Sequence, residues 1–274
     1  MLHYPVSMKR IFAISLPCLL ALAAWAIIPP KNHRIHANNA FQKGEFVKYR
    51  VHYGPITAGY ATVLVSNETA MMNGRKCHKI IGEGYTAPSY DWIFKVRDHY
   101  ESYMDEESLF SWKFKRKIDE SNFHTYTETY FDQENRKVNF IGHDQKQHLY
   151  DTDENMQDPM SAFFYARAHY DHTTLKVGDK ISLKQFESHK TIPLEAKLLK
   201  REVIEIEGVK YKTLKFDLMV GKAGLITDDS DIKFWLSDDE NKIILRTEMR
   251  LYFGAIRVDM MAYSGLKHSF AAKL

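Results

Sequence analysis

The sequence has few cysteines and little net charge, and each shortage excludes a class of protein. Two cysteines, Cys18 and Cys77, occur among 274 residues. Cys18 lies in an apolar N-terminal stretch that we expect to be removed, and a single remaining cysteine cannot form an intramolecular disulfide. Because Pro17 precedes Cys18 where a lipid-modification site has a small residue, a lipoprotein is not favoured. The 38 basic and 35 acidic residues nearly cancel, which argues against a nucleic-acid-binding protein.

Motifs of common catalytic sites are also missing. The sequence has no Gly-x-Ser-x-Gly nucleophile motif and no glycine-rich phosphate loop. After residue 43 its histidines group closely only at His143 and His148 and at His169 and His172, without the spacing and further ligands that a zinc site requires. Cys77 lies in an apolar-leaning segment, where a buried strand residue is commoner than a reactive thiolate. We therefore expect no metal and no cofactor, and the sequence favours a non-enzymatic protein over an enzyme.

The first 26 residues have the pattern of an export signal. Lys9 and Arg10 precede an uncharged, mainly apolar run, and Ala24-Trp25-Ala26 places small residues at the spacing that signal peptidase reads. We predict cleavage after Ala26 and an exported protein in the periplasm or cell envelope of a bacterium. The alternative is an uncleaved anchor, because the run approaches the ~20 residues that span a bilayer. Such an anchor would also associate the protein with a membrane.

The remainder of the chain is interpreted as a tether and one domain. Residues 27–43 are mostly polar and have no periodicity, which is typical of a flexible tether. From residue 44 to residue 274 no segment has the composition of a linker, so we predict a single β-rich domain.

Alternating apolar and polar residues predict an antiparallel β protein. The longest signal is 231–263, where alternation continues after a polar turn at 238–241 and changes parity after Gly254. Residues 51–56 repeat the pattern of 251–256, namely apolar, variable, aromatic, glycine, small and isoleucine. These are either two unrelated turns or two equivalent bends that lie near each other. Further strands are predicted at 79–82, 92–104, 110–118, 125–131, 137–141, 181–186, 194–206 and 211–220.

This spacing of strands predicts an all-β fold. One large antiparallel, curved sheet would form an open or incomplete barrel. The exception is Asp158–His169, where an aspartate that can cap a helix is followed by proline at the first helical position. Met160, Phe163 and Phe164 recur there at helical spacing, which predicts one short amphipathic helix against the sheet.

Arg167 lies on the predicted buried face of this helix. A buried guanidinium requires a carboxylate or carbonyl partner, and the residues three and four positions before Arg167 are aromatic. The partner is therefore expected on a strand. We prefer Asp98, which interrupts a largely aromatic and aliphatic stretch, over Asp238, which lies in a turn.

Several motifs together resemble those of the bacterial domain of unknown function 3108 family. From about Gly44 to Leu266 they follow the family's order: Gly44-Glu45-Phe46 with Tyr49 and Tyr53-Gly54, Val96–Ser102, Asp158–Arg167, Val177-Gly178-Asp179, and Trp235–Asp239. The resemblance implies an exported, β-rich envelope protein without an established activity, so it transfers no catalytic residue. The family's recurrent polar positions correspond to Arg97, Asp98, Ser161, Arg167 and Asp238, whose roles are structural or functional.

Aromatic residues are frequent in the predicted strands, and two interpretations are open. Large rings can fill the concave side of a strongly bent sheet, which we favour. Alternatively, some of them line an apolar groove for an acyl chain or a hydrophobic segment of another protein. The candidates for such a groove are Tyr53, Tyr60, Trp92, Tyr100 and Trp235.

Taken together, these features favour an exported, non-enzymatic envelope protein that binds a lipid-like ligand or an envelope partner on the concave face of its sheet. One alternative is an envelope hydrolase that acts on a glycan or lipid with carboxylates such as Asp98 and Asp238. The other is a scaffold without a ligand.

Overall fold

The computed structural model describes residues 33–221 and 232–274. The predicted export signal, its cleavage site after Ala26 and the start of the 231–263 segment at Asp231 lie outside these residues. Within the described residues the chain forms fourteen strands, one α-helix and a single 3-10 turn at Pro88–Tyr90. No helix in this part of the chain is long and apolar enough to cross a bilayer.

In chain order the strands are β1 (Phe46–Tyr53), β2 (Ile56–Met72), β3 (Arg75–Thr86), β4 (Arg97–Asp105), β5 (Ser111–Glu120), β6 (Phe123–Asp132), β7 (Lys137–Ile141), β8 (Gln147–Asp151), β9 (Lys180–Glu187), β10 (Lys190–Ile206), β11 (Val209–Val220), β12 (Ile232–Ser237), β13 (Ile244–Arg250) and β14 (Ala255–Ser264). The helix α1 (Pro159–His169) lies between β8 and β9.

All fourteen strands belong to one sheet with the order β8-β7-β6-β5-β4-β3-β2-β1-β14-β13-β12-β11-β10-β9. Every neighbouring pair in it is antiparallel. The chain runs outward from β1 to the edge strand β8, crosses through α1 to the other edge strand β9, and returns to β14 beside β1. This confirms the predicted fold, one large antiparallel sheet in an open barrel with one short helix.

The two edges of the sheet do not join through a ladder. Gln157, just before α1, forms an isolated bridge with Gln185 of β9, and its carbonyl oxygen accepts a hydrogen bond from Phe186 N at 2.8 Å. The segment that leads into the helix therefore links the two edges.

The turns at Gly54 and Gly254 are neighbours. Tyr53 pairs with Ile256 across β1 and β14, and its hydroxyl donates a hydrogen bond to the carbonyl oxygen of Phe253 at 2.9 Å. Both glycines have positive φ, +54° and +74°. The second interpretation of the repeated pattern, two similar bends that lie close together, is confirmed.

The helix packs on both halves of the sheet. Phe164 lies in a buried cluster with Val65 and Ile80 of the first half. Phe163 and Ala166 pack against a cluster of strand residues from β9 to β12. Part of the core therefore lies between α1 and the sheet.

Two sequence-based boundaries are wrong. Part of the predicted tether is packed, because Ala40 and Phe41 are 0% and 1% exposed and the Phe41 ring meets the Phe164 ring edge-on. The aromatic segment at Trp92 is a loop, and β4 begins only at Arg97. In both cases a short apolar segment has no periodicity of its own, so its environment is set by distant strands.

Candidate functional site

Asp158 fixes the start of α1. Its carboxylate accepts hydrogen bonds from the backbone N–H groups of Met160 and Ser161 at 2.8 and 2.9 Å. It also accepts hydrogen bonds from the hydroxyls of Ser102 and Ser111, on β4 and β5, at 2.6 Å each. Burial raises the pKa of Asp158, whereas the hydrogen bonds from these donors act to lower it. The predicted helix cap thus also joins the helix to the sheet, and Ser161 completes it by accepting from Asp158 N at 2.9 Å.

Arg167 is buried as the helix pattern predicts, but its partner is Glu45. Nη1 and Nη2 donate to the two carboxylate oxygens of Glu45 at 2.6 and 2.9 Å. Nε and Nη2 also donate to the carbonyl oxygens of Asn241 and Ala40 at 3.0 and 3.2 Å. The preference for Asp98 is wrong: the guanidinium meets Glu45, just before β1, while Asp98 accepts a hydrogen bond from Asp119 N.

The five candidate polar residues do not form one site. Arg97 pairs with Asp91 at 2.5 Å, and Asp98 accepts a backbone hydrogen bond from β5 at 3.1 Å. Asp238 pairs with Arg201 at 2.6 Å. Only the two helix residues, Ser161 and Arg167, are both buried, and each has a structural partner. The five residues therefore have structural roles in separate parts of the fold.

An apolar cavity lies between α1 and strands β9 to β13. We call it the helix cavity; its volume is about 380 Å³, within the range of about 300 to 1,000 Å³ that is typical of small-molecule sites. Aliphatic and aromatic side chains of the helix and of all five strands line it, among them Phe163, Ile181, Leu214, Phe216, Leu236 and Ile244. The sequence analysis selected none of these strand residues as site candidates.

Few polar side chains reach the helix cavity, and Lys242 is one of them. Lys242 is 8% exposed, and its ammonium group donates to the carbonyl oxygen of Glu240 at 3.1 Å. Burial, and then the positive charge of Arg167, lower the pKa of Lys242. No carboxylate among the described residues lies within ion-pair distance of this ammonium group; Asp171, Asp239 and Glu240 act on it from farther away and oppose the lowering of its pKa.

The turn that carries Lys242 is fixed by Asp239. One carboxylate oxygen of Asp239 accepts from the Ser237 hydroxyl at 2.8 Å and from Asn241 N at 3.1 Å. Lys242 itself has a positive φ of 48°, which an L-residue adopts at a cost. The sequence predicts a turn here, but no periodicity indicates that the lysine at its end is buried.

The predicted groove aromatics lie elsewhere, and none of them lines the helix cavity. Trp235 is buried and contacts a lysine ammonium through its ring face, and Tyr100 stacks on a phenylalanine of β5. Tyr53 and Trp92 are exposed at turns. Tyr60 lines a second cavity. The walls of the helix cavity come instead from β9 to β13, whose contribution is mainly aliphatic.

The second cavity, also of about 380 Å³, lies beside the start of β2. Ile56 and Ala61 of β2 line it together with Tyr60. Ile93 and Phe94 of the loop between β3 and β4 close its other side. It is thus formed at a surface loop, whereas the helix cavity is formed in the core.

Other candidate chemistry receives no support from the described residues. Nowhere in residues 33–221 and 232–274 do three or more His, Cys, Asp or Glu side chains group in a way that could hold a metal ion. Cys77 is fully buried, and burial raises the pKa of its thiol to about 12, which opposes formation of a thiolate.

Comparison with solved structures supports the fold. A β-barrel-like protein of domain of unknown function DUF1849 from Brucella abortus is 10% identical, with a TM-score of 0.53, and the match covers 83% of this chain and 99% of that chain. A putative exported protein with a YmcC-like fold from Bacteroides fragilis is 8% identical over 84% and 99% of the chains, with a TM-score of 0.37. A putative lipoprotein from Parabacteroides distasonis is 10% identical over 85% and 100%, with a TM-score of 0.33.

Sequence comparison gives the family. No curated protein matches the chain. The family of proteins of unknown function DUF3108 matches residues 48–261, which is most of the chain and includes most of β1, all of α1 and the walls of the helix cavity. The protein therefore belongs to the DUF3108 family.

Proposed function

We propose that the protein is an exported, non-enzymatic cell-envelope protein that binds a lipid-like ligand in the helix cavity. The observation that carries the proposal is the cavity itself, about 380 Å³ in volume and walled by apolar side chains of α1 and β9 to β13. Each Å² of apolar surface that a ligand buries there contributes about 25 cal/mol, so hydrocarbon is the chemistry that these walls favour.

The small number of polar groups narrows the class of ligand. A glycan would need several hydrogen-bonding side chains along the cavity, because buried hydroxyls without partners are costly. The lining offers Tyr170, Gln185, Glu187, Thr247 and Lys242 besides Arg167. Arg167 is already occupied by Glu45, and Glu187 lies 3.4 Å from Arg116. An acyl chain fits such a lining better than a sugar.

The position of Lys242 supports an anionic end group on the proposed acyl chain. A buried ammonium group is stabilised by an opposite charge, and the contact at Lys242 Nζ is a carbonyl oxygen. A carboxylate or phosphate of a ligand would supply a counter-ion at hydrogen-bond distance. We therefore include in the proposal that the ligand is a single-chain anionic lipid with its charged end at Lys242.

The hydrolase alternative has no comparable observation in its favour. It requires two carboxylates that face one bond. Asp98 lies on β4 and Asp238 follows β12, and five strands separate β4 from β12 in the sheet order. Each of the two carboxylates has partners of its own.

The test compares two substitutions that fill one cavity each. Ala196 lines the helix cavity and Ala61 lines the second cavity, so Ala196→Phe and Ala61→Phe place the same side chain in either space. The protein and both variants would be purified from their own cell envelope and measured by native mass spectrometry. We expect a retained lipid mass in the wild type and in Ala61→Phe, and its loss in Ala196→Phe.

The opposite pattern, loss only in Ala61→Phe, would move the site to the second cavity and overturn the proposal. So would the absence of any lipid mass from the wild type, when added dodecanoic acid also fails to bind. Thermal unfolding of both variants shows whether a loss comes from the filled cavity or from a destabilised fold.

A further inference from the structure

Exposed apolar side chains gather at three turns of the sheet. We call these side chains the apolar rim: Ile56, Trp92, Ile93, Phe94, Tyr252 and Phe253. Trp92, Tyr252 and Phe253 are 82%, 94% and 77% exposed. Turns are normally rich in Gly, Asn, Asp and Ser, so large rings at their tips are not explained by the turns themselves.

The three turns lie side by side. The Tyr53 hydroxyl joins the β1–β2 turn to the β13–β14 turn through Phe253 O at 2.9 Å. The loop between β3 and β4 joins β2 through a hydrogen bond from Ala87 N to Ala58 O at 2.9 Å. Its Ile93 and Phe94 line the second cavity together with Ile56. The rim is therefore one surface at one end of the sheet.

The exposed rings are held in place. The indole N–H of Trp92 donates to the carbonyl oxygen of Ser89 at 3.0 Å, so the rest of the ring offers only apolar surface. Tyr252 and Phe253 meet edge-on with 4.7 Å between ring centroids. Indole and phenol rings with one apolar and one polar part are enriched where membrane proteins meet the bilayer surface.

Within the three turns themselves the net charge is positive, the sign that anionic lipids attract. The turn segments 52–57, 86–97 and 248–257 contain four basic and two acidic residues. Asp91 pairs with Arg97, and Glu248 pairs with Arg257. This leaves Lys95 and Arg250 in excess, and basic residues near an anionic membrane surface strengthen binding to it.

We infer that the apolar rim docks on the surface of a lipid bilayer that contains anionic lipids. Separate rings at the tips of adjacent turns can enter the interface between head groups and acyl chains, while the strands behind them remain in water. The inference does not depend on a filled helix cavity. That cavity nevertheless reaches the same end of the sheet, because its lining residue Ile232 pairs with Met249, three residues before Tyr252.

The first experiment is vesicle flotation of the full chain with its natural amino terminus. Vesicles of phosphatidylcholine with phosphatidylglycerol are compared with vesicles of phosphatidylcholine alone. We expect the wild type to float with the anionic vesicles and Trp92→Ser/Phe253→Ser to partition at least tenfold less. The matched control is Leu149→Ser/Val203→Ser, which removes two exposed apolar side chains of β8 and β10 and should float like the wild type.

A second measurement uses tryptophan emission. Trp112 and Trp235 are 3% and 5% exposed, so a blue shift that appears with vesicles and disappears in Trp92→Phe would come from Trp92. Trp92→Phe keeps an aromatic ring and should still float. Equal flotation of the wild type and Trp92→Ser/Phe253→Ser, or an equal loss in the control, would overturn the inference. So would a dimer in sedimentation without vesicles that the rim substitutions dissociate, because the rim would then bind a second copy of the chain.

Discussion

Arg167 and Glu45 form a two-pronged ion pair inside the protein, with side chains 2% and 3% exposed. The two residues are 122 positions apart in sequence. Through the remaining N–H groups of Arg167, the pair also holds the segment before β1 at Ala40 and the turn before β13 at Asn241. One guanidinium thus joins α1 to two separate parts of the chain, the segment before β1 and the turn before β13.

We predict that Arg167→Met destabilises the protein by about 3 to 5 kcal/mol, because it leaves the Glu45 carboxylate buried without its partner. The matched control is Arg201→Met. It breaks the Arg201–Asp238 pair, whose arginine is 37% exposed, and should cost about 1 kcal/mol or less. The measurement is the free energy of unfolding in urea.

A double-mutant cycle with Glu45→Gln completes this test. Because the two side chains bond directly, the double variant should lose clearly less than the sum of the single losses. Additive losses, or a cost for Arg167→Met as small as that for Arg201→Met, would contradict the role assigned to the pair.

The second prediction concerns the pH dependence of stability at Asp105. Burial raises the pKa of this carboxyl, but hydrogen bonds from Arg75, Ser108 N and Trp112 outweigh burial and lower the pKa to about 2. The unfolded carboxyl has a pKa of about 3.9. The folded state therefore gains stability from Asp105 above about pH 4 and loses it as the pH falls through about 2.

The measurement compares the wild type with Asp105→Asn between about pH 6 and about pH 2. The difference in unfolding free energy should shrink by about 2 kcal/mol over this range, since each pKa unit corresponds to about 1.4 kcal/mol. Asp151→Asn removes an exposed carboxylate and serves as the control. Its difference in unfolding free energy from the wild type should change little over this pH range. A difference at Asp105 that stays constant with pH would show that its hydrogen bonds do not favour the ionised form.

The third prediction separates the two glycine turns. A Cβ at Gly54 would meet nothing within 4 Å, whereas a Cβ at Gly254 would lie 2.8 Å from the Tyr53 hydroxyl oxygen. Gly54→Ala should therefore lower the free energy of unfolding by about 1 to 2 kcal/mol through its positive φ alone. Gly254→Ala should lower it by more.

Making the two glycine substitutions in a Tyr53→Ala variant tests the cause of this difference. With the ring removed, the cost of Gly254→Ala should fall to that of Gly54→Ala. The readout is again the urea midpoint at constant slope. If the excess cost persists without the ring, it comes from the backbone and not from the contact with Tyr53.

Local signals made part of the fold predictable. Asp158 followed by Pro159 specifies a helix start through one side-chain cap and one fixed φ, so the observed helix agrees with the sequence analysis. The antiparallel strands follow from alternation and short polar turns. Alternation was less reliable towards the β13–β14 turn: β13 ends at Arg250, and Phe253, on the same parity as the buried Leu245, is exposed.

The candidate site depended on contacts that no local pattern contains. Glu45 and Arg167 are 122 positions apart and meet only through the tertiary fold. Lys242 is buried because its turn, fixed by Asp239, packs beside the helix. The cavity walls alternate like any half-buried strand, so the sequence does not distinguish a residue that fills the core from one that faces an empty space.

The last prediction concerns Lys242 and the charged end of the proposed ligand. Lys242→Met keeps an unbranched side chain and removes the charge, and the positive φ at this position affects both residues alike. A hydrogen bond to a charged group contributes about 1.5 to 3 kcal/mol, and 1.4 kcal/mol is tenfold in affinity. Dodecanoic acid should therefore bind Lys242→Met roughly tenfold or more weakly, while dodecanol should bind both proteins equally.

Isothermal titration calorimetry with these two probes measures the effect, and Lys184→Met, which removes an exposed lysine paired with Asp153, is the control. Because burial lowers the pKa of Lys242, raising the pH should weaken binding of the acid at a lower pH than for an ordinary lysine. Binding of dodecanol should not change over the same range. An equal loss for acid and alcohol in Lys242→Met would assign the lysine a structural role, and tight binding of neither probe to the wild type would refute the proposed lipid site.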